Sequence, residues 1–177
     1  MSGKARLATV WLDGCSGCHM SFLDMDERLL ELAAHVDLVY SPLVDVKEFP
    51  MGVDITLVEG AVSSEEDDRR IRLIREHTRV LVSLGDCAVT ANVPSLRNPF
   101  GVDAVMRRAY IENVTLQPQV PQEEVPALLP RVQPVHAVVP VDVFMPGCPP
   151  SADTIHFTLT ELLAGRRPDY GTRVRFG

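Results

Sequence analysis

The sequence predicts an α/β fold: a doubly wound, parallel sheet of about five strands. Three observations carry that expectation. Apolar runs of strand length recur along the chain, stretches with helical spacing separate most of them, and glycine-containing loops close several runs at their carboxyl ends.

Residues 6–12, "RLATVWL", are the first strand. A glycine–cysteine loop follows. Then "MSFLDMDERLLELAAH" sets Phe22, Met25, Leu29, Leu32 and Ala33 at helical spacing with acids early, so one helix is expected there. Its Met20 and Met25 are read as core, with an interface role as the alternative for both, and Trp11 is also read as core. Residues 36–41 and 53–60 are the second and third strands, the latter ending at Glu59-Gly60. Ser63 or Ser64 opens a second helix, in which Glu66–Arg70 and Asp68–Arg72 are spaced i,i+4 in the favourable order. That charge run is a solvated face. Residues 79–85 are the fourth strand, followed by Asp86-Cys87 and a short helical turn that Asp86 would cap. Residues 135–144 are the fifth strand, with Pro140 marking an edge or a bulge. The last helix has Ser151 as N-cap, Ile155, Leu159, Leu162 and Leu163 on one face, and Gly165 as its stop.

Residues 1–177 read as a single domain with one unusual insertion. Residues 92–134 hold half of the fourteen prolines and one helix candidate, 102–112. Connections of this length are functional, partner-bound, or plain surface loop. Five strands in this pattern give the flavodoxin-like order 2-1-3-4-5, which places ligands outside the carboxyl ends of the strands.

Composition narrows the function. The net charge of −7 argues against a nucleic-acid partner. No apolar run reaches the roughly 20 residues of a membrane span. The N-terminus has neither a secretory h-region nor a twin-arginine pair, so a cytoplasmic location is expected.

In a reducing compartment the four cysteines are unsuited to structural disulfides. Cys15 and Cys18 follow the first strand, Cys87 the fourth and Cys148 the fifth, so separate loops carry all of them to the same sheet edge. A thioredoxin-like redox pair would leave Cys87 and Cys148 unused. A structural zinc site usually draws on two paired knuckles, and only one is present, in "CSGC". A [4Fe–4S] cluster takes four thiolates and accepts them from several loops. Its negative charge calls for close backbone N–H groups, and Gly14, Gly17, Gly85 and Gly147 each stand one or two residues from a cysteine. The cluster reading is favoured, with zinc as the alternative.

Around the cysteines, Glu59 is read as bonding a loop backbone or relaying protons, and His19 as a donor to a cluster sulfur, a helix cap or an interface residue. No serine- and threonine-rich phosphate cradle follows the first strand, which leaves FMN without an evident site in this chain.

"CSGCH", "VEGAV", "GDCA" and "PGCPPSADTI", in that order, resemble the small subunit of [NiFe] hydrogenases over most of the first 165 residues. The resemblance implies a proximal [4Fe–4S] cluster on Cys15, Cys18, Cys87 and Cys148, with no catalytic residue needed here because the nickel–iron site belongs to a separate large subunit. With no cysteine after Cys148, one cluster is expected. The short form looks most like the small subunit of cytoplasmic, bidirectional NAD-reducing hydrogenases, whose diaphorase subunits carry FMN and further clusters and reduce NAD. The related cluster-bearing subunit of respiratory complex I has adjacent cysteines where this chain has Cys15-Ser16-Gly17-Cys18, so that assignment stands second. A zinc-stabilised interaction module stands third.

Overall fold

The computed structural model describes residues 3–171, 173 and 174. Strands β1 (Ala5–Trp11), β2 (Val36–Tyr40), β3 (Val53–Glu59), β5 (Thr78–Leu84) and β7 (Val143–Met145) form one parallel sheet in the order β2-β1-β3-β5-β7. This is the flavodoxin-like order expected from the sequence. The short β4 (Val62–Ser64) pairs antiparallel with β6 (Leu128–Gln133) in a separate ribbon.

Register positions the functional edge. Trp11 pairs with Glu59, Glu59 with Leu84, and Leu84 with Met145. Strands β1, β3, β5 and β7 therefore end at one level, and their loops leave the sheet side by side.

Alternation sends successive side chains to opposite faces. Leu57, Val82, Leu84 and Met145 pack with Phe22, Met25, Leu32, Ile155 and Leu159 on one face. Val10, Val58 and Leu81 pack with Ile71, Ile74 and Ala88 on the other. The first face is covered by α1 (Gly17–Leu23), α2 (Arg28–Ala33) and α6 (Ala152–Leu163), the second by α3 (Glu65–His77) and α4 (Asp86–Thr90). Strand β3 is buried along nearly its whole length, as a central parallel strand must be.

Several expectations are corrected. The single helix expected over residues 20–35 is two, broken at Asp26, whose φ is +50°. Asp24, Asp26 and Glu27 crowd the carboxyl end of α1, where negative charge opposes the helix dipole. Aspartate tolerates the left-handed turn, which lets Met25 and Leu32 bury in the same core. The fifth strand is only Val143–Met145, because Val135–Ala137 forms a 3₁₀ turn and Pro140 offers no N–H. Glu66 and Arg70 are not recorded as an ion pair; Arg70 instead donates to the Tyr40 hydroxyl. Met20 is 58% exposed and Trp11 42%, so neither is core.

The proline-rich connection contains a 3₁₀ turn (Val93–Arg97), α5 (Val102–Arg107), a π turn (Arg108–Glu112) and β6. The Arg97 guanidinium donates to the carbonyls of Ser63 and Leu129, and Asn98 exchanges hydrogen bonds with the Val132 backbone. These contacts fasten both ends of the connection to the β4–β6 ribbon.

Candidate metal centre

The four cysteines occupy the loops at the carboxyl edge. Cys15 lies in the turn after β1 and Cys18 in the first turn of α1; Cys87 is in α4, directly after β5; Cys148 follows β7. Cys15 and Cys148 are exposed, Cys87 is half-buried and Cys18 is buried. Ser16, at φ +62°, turns the chain sharply between the first two, and its carbonyl accepts from the Met20 N–H at 3.0 Å.

Glycines let the loops close on the sulfurs. A Cβ on Gly85 would lie 2.2 Å from the Cys18 sulfur, and φ there is +83°. A Cβ on Gly17 would lie 3.3 Å from the Cys15 sulfur. Gly147, at φ +141°, admits Pro150, whose backbone would be 2.7 Å from a Cβ. Gly14 makes its close approach elsewhere, against the Gly60 Cα and the Glu59 carboxylate.

Electrostatics record the same convergence. Burial pushes the Cys18 thiol well above its ordinary range, and Glu59, Cys87, Cys15 and Cys148 push it further. Burial also raises Cys87; a hydrogen bond from the Val93 N–H opposes the rise, and Cys148, Cys15 and Glu59 add to it. Four thiolates this close repel one another unless a cation lies among them. Among the described residues, no three His, Cys, Asp or Glu side chains are grouped so as to hold one metal ion.

Second-layer contacts suture the loops. The Asp86 carboxylate accepts from the Gly147 N–H at 2.6 Å, and the Asp86 N–H donates to the Gly147 carbonyl at 2.9 Å. Asp86 thus joins the Cys87 and Cys148 loops, a wider role than the helix cap expected of it. The Ser21 hydroxyl donates to the Pro150 carbonyl, tying α1 to the Cys148 loop. Glu59, 2% exposed, accepts from the His19 backbone N–H at 2.9 Å and is hydrogen-bonded to the His19 ring at Nδ1. The buried Nε2 has no hydrogen-bond partner among the described residues. A further neighbour, Asn92, was not legible in the sequence: its amide Nδ2 lies 3.9 Å from the Cys148 sulfur. No spacing pattern marks it, because the contact crosses 56 residues of chain.

A flavodoxin-like sheet with four cysteines gathered at its carboxyl edge defines the class. The family model for the NADH ubiquinone oxidoreductase 20 Kd subunit matches residues 15–162, and the chain belongs to that family. Within it, the chain is 44% identical over 169 residues to the delta subunit of the NAD-reducing hydrogenase HoxS of Cupriavidus necator, covering 93% of this chain and 81% of that one. It is 39% identical to a subunit of the F420-non-reducing hydrogenase of Methanothermobacter marburgensis, where the match spans 93% of this chain and only 55% of the relative. Among solved structures it superposes on a chain of an H2-reduced NAD+-reducing [NiFe]-hydrogenase with a TM-score of 0.94 at 40% identity, covering 99% of this chain and 100% of that one. A chain of the [NiFeSe] hydrogenase of Desulfovibrio vulgaris Hildenborough shares the fold, with a TM-score of 0.58 at 17% identity over 92% of this chain and 60% of that one. The likeness to hydrogenase small subunits read from the motifs extends over 99% of this chain in the structural match and 93% in the sequence match.

Proposed function

We propose that this chain is the electron-transfer small subunit of an NAD-reducing [NiFe] hydrogenase, holding one proximal [4Fe–4S] cluster on Cys15, Cys18, Cys87 and Cys148. The observation that carries the reading is the convergence of these thiols from three loops onto one sheet edge, with mutual charge repulsion that a metal group would relieve. Soft thiolates suit iron–sulfur groups and zinc alike. A zinc ion requires its four ligands at about 2.0–2.3 Å around one point. Structural zinc sites usually draw on two paired C-x2-C knuckles and this chain has one, in "CSGC", which favours the four-iron group.

Bound here, a [4Fe–4S] cluster supplies a one-electron carrier. The chain's own residues hold and insulate it. Cys18, under Gly85, anchors the buried side, while Cys15 and Cys148 present the other side at the surface. Exposed Trp11 at the end of β1, Met20 on α1, and Val93 and Leu96 on the 3₁₀ turn after α4 supply apolar surface for a partner. Glu59 and His19 fix the start of α1, and Gly17 and Gly147 let the backbone approach. Residues 1–177 act as one flavodoxin-like unit, with the 92–134 connection fastened to it. The partners are a large subunit with the nickel–iron site and diaphorase subunits carrying FMN and binding NAD. A cytoplasmic location is part of this proposal, and no helix among the described residues is long and apolar enough to cross a membrane.

The test is anaerobic purification with bound partners, followed by metal analysis and an assay of H2-dependent NADH formation. About four irons per copy of this chain beyond those of the partners, nickel in the large partner and NADH formation support the reading. Zinc without iron overturns the cluster. Iron without nickel or H2 activity moves the chain to the complex I side, which the family model's name also represents.

A further inference from the structure

We infer that Asn92 is a positioning residue for the four-cysteine site, donating a side-chain hydrogen bond to the Cys148 sulfur that holds the site's reduction potential up. The inference rests on the proposed cluster but concerns a residue outside its ligand set.

The geometry is local and over-determined. Helix α4 carries Cys87 and ends at Ala91, a buried non-glycine residue at φ +64°. A left-handed alanine is unfavourable, so the surrounding contacts must hold it. They are present. The Ala91 N–H donates to the Cys87 carbonyl at 3.0 Å, and the Ser95 N–H donates to the Ala91 carbonyl at 2.9 Å. The Ser95 hydroxyl donates to the Asn92 carbonyl at 2.8 Å. Arg97 then pins the following 3₁₀ turn to Ser63 and Leu129. The outcome of this turn is that Asn92 reaches back over the site, its Nδ2 3.9 Å from the Cys148 sulfur.

The contact spans two loops, from the turn that follows Cys87 to the cysteine that follows β7. Such a donor matters most to the reduced state of an iron–sulfur site, which carries one more negative charge than the oxidised state. A hydrogen bond to a ligand sulfur stabilises that charge and raises the potential. The Asn92 amide is a side-chain donor, so substitution removes it without changing the backbone.

The experiment uses the intact complex. Redox titration followed by EPR reads the cluster signal assigned to this chain by its loss in Cys148→Ala. Asn92→Leu keeps the volume and removes the donor; Asn92→Asp places a like charge beside the sulfur. The potential is expected to fall in the order wild type, Asn92→Leu, Asn92→Asp, with the oxidised-to-reduced ratio shifting severalfold for the first and about tenfold, or about 59 mV for one electron, for the second. Asn92→Leu should also lose one exchangeable proton from the cluster's hyperfine spectrum in D2O. Unchanged potentials in both variants at full iron content overturn the inference while leaving the cluster intact. Loss of iron from both overturns it as well, since a tuning donor is dispensable for assembly. A wild-type complex with no iron in this chain removes the cluster and the inference together.

Discussion

At Gly85 a single hydrogen atom separates a working site from a blocked one. A methyl group there would sit 2.2 Å from the Cys18 sulfur, and the backbone, at φ +83° and ψ 162°, is in an essentially glycine-only region that costs other residues about 1–3 kcal/mol. A side-chain tip elsewhere could swing aside, but Cys18 is buried and is one of the proposed ligands. Gly85→Ala should therefore lose most of the iron while destabilising the chain by only about 1–3 kcal/mol. Metal content and urea unfolding of the same preparation separate the two effects, and full iron in the variant would contradict the close approach. Glu59 makes the complementary case. Its carboxylate holds both the backbone and the ring of His19, so Glu59→Leu leaves two buried polar groups unmatched. A loss of about 2–5 kcal/mol is expected from those bonds and the altered packing, whereas Glu59→Gln, which keeps an acceptor, should lose less. Equal losses in unfolding experiments would mean that the carboxylate's charge matters and its shape does not.

Helix α3 shows how local chemistry is written plainly enough to read in advance. Ser64 accepts from the Asp67 N–H and Asp67 accepts from the Ser64 N–H, a complete capping box. Ser64→Ala should cost about 0.5–2 kcal/mol. One turn on, the Arg72 guanidinium beside Asp68 holds that carboxyl below its ordinary value. A lowered carboxyl contributes stability above its unfolded pKa and loses it as pH falls through the folded value. Because the pair faces solvent, Asp68→Asn should cost at most about 0.5 kcal/mol at neutral pH. That penalty should shrink in unfolding curves as pH falls below the carboxyl's ordinary value; a penalty constant with pH would assign it to the helix dipole instead. Caps, strand runs and the α6 stop at Gly165 were legible because each depends on neighbours in sequence. The break at Asp26, the shortened β7 and the β4–β6 ribbon were not, since long-range pairing and core packing decide them. The same division runs through the site. The cysteines could be placed from strand order alone, but Asn92 on Cys148, Asp86 on Gly147 and Ser21 on Pro150 are contacts between distant segments that no local pattern announces.

On the scale of the molecule, the alignment of Trp11, Glu59, Leu84 and Met145 makes the functional edge a property of the whole sheet, yet the sheet does not depend on that edge. Its two faces are buried against separate helical layers, with Leu57, Ile71, Ile74, Leu81, Ile155 and Leu159 wholly or almost wholly enclosed. Each such side chain contributes about 1.5–3 kcal/mol of burial without reference to any metal. The loops themselves are joined by protein contacts: Asp86 to Gly147, Ser21 to Pro150, and Gly85 N–H to the Met145 carbonyl. Small metal-nucleated domains, by contrast, have no core to fall back on and unfold when stripped. Removing the proposed cluster should therefore leave the fold standing and loosen only the edge where four thiols are left to repel. Amide hydrogen exchange on the loaded and chelator-treated chain should show faster exchange in residues 14–23, 85–93 and 145–151, with β3 and α3 unchanged. If protection were lost in β3 as well, the metal group would be a structural keystone, and the independent two-faced core would not be what holds this chain together.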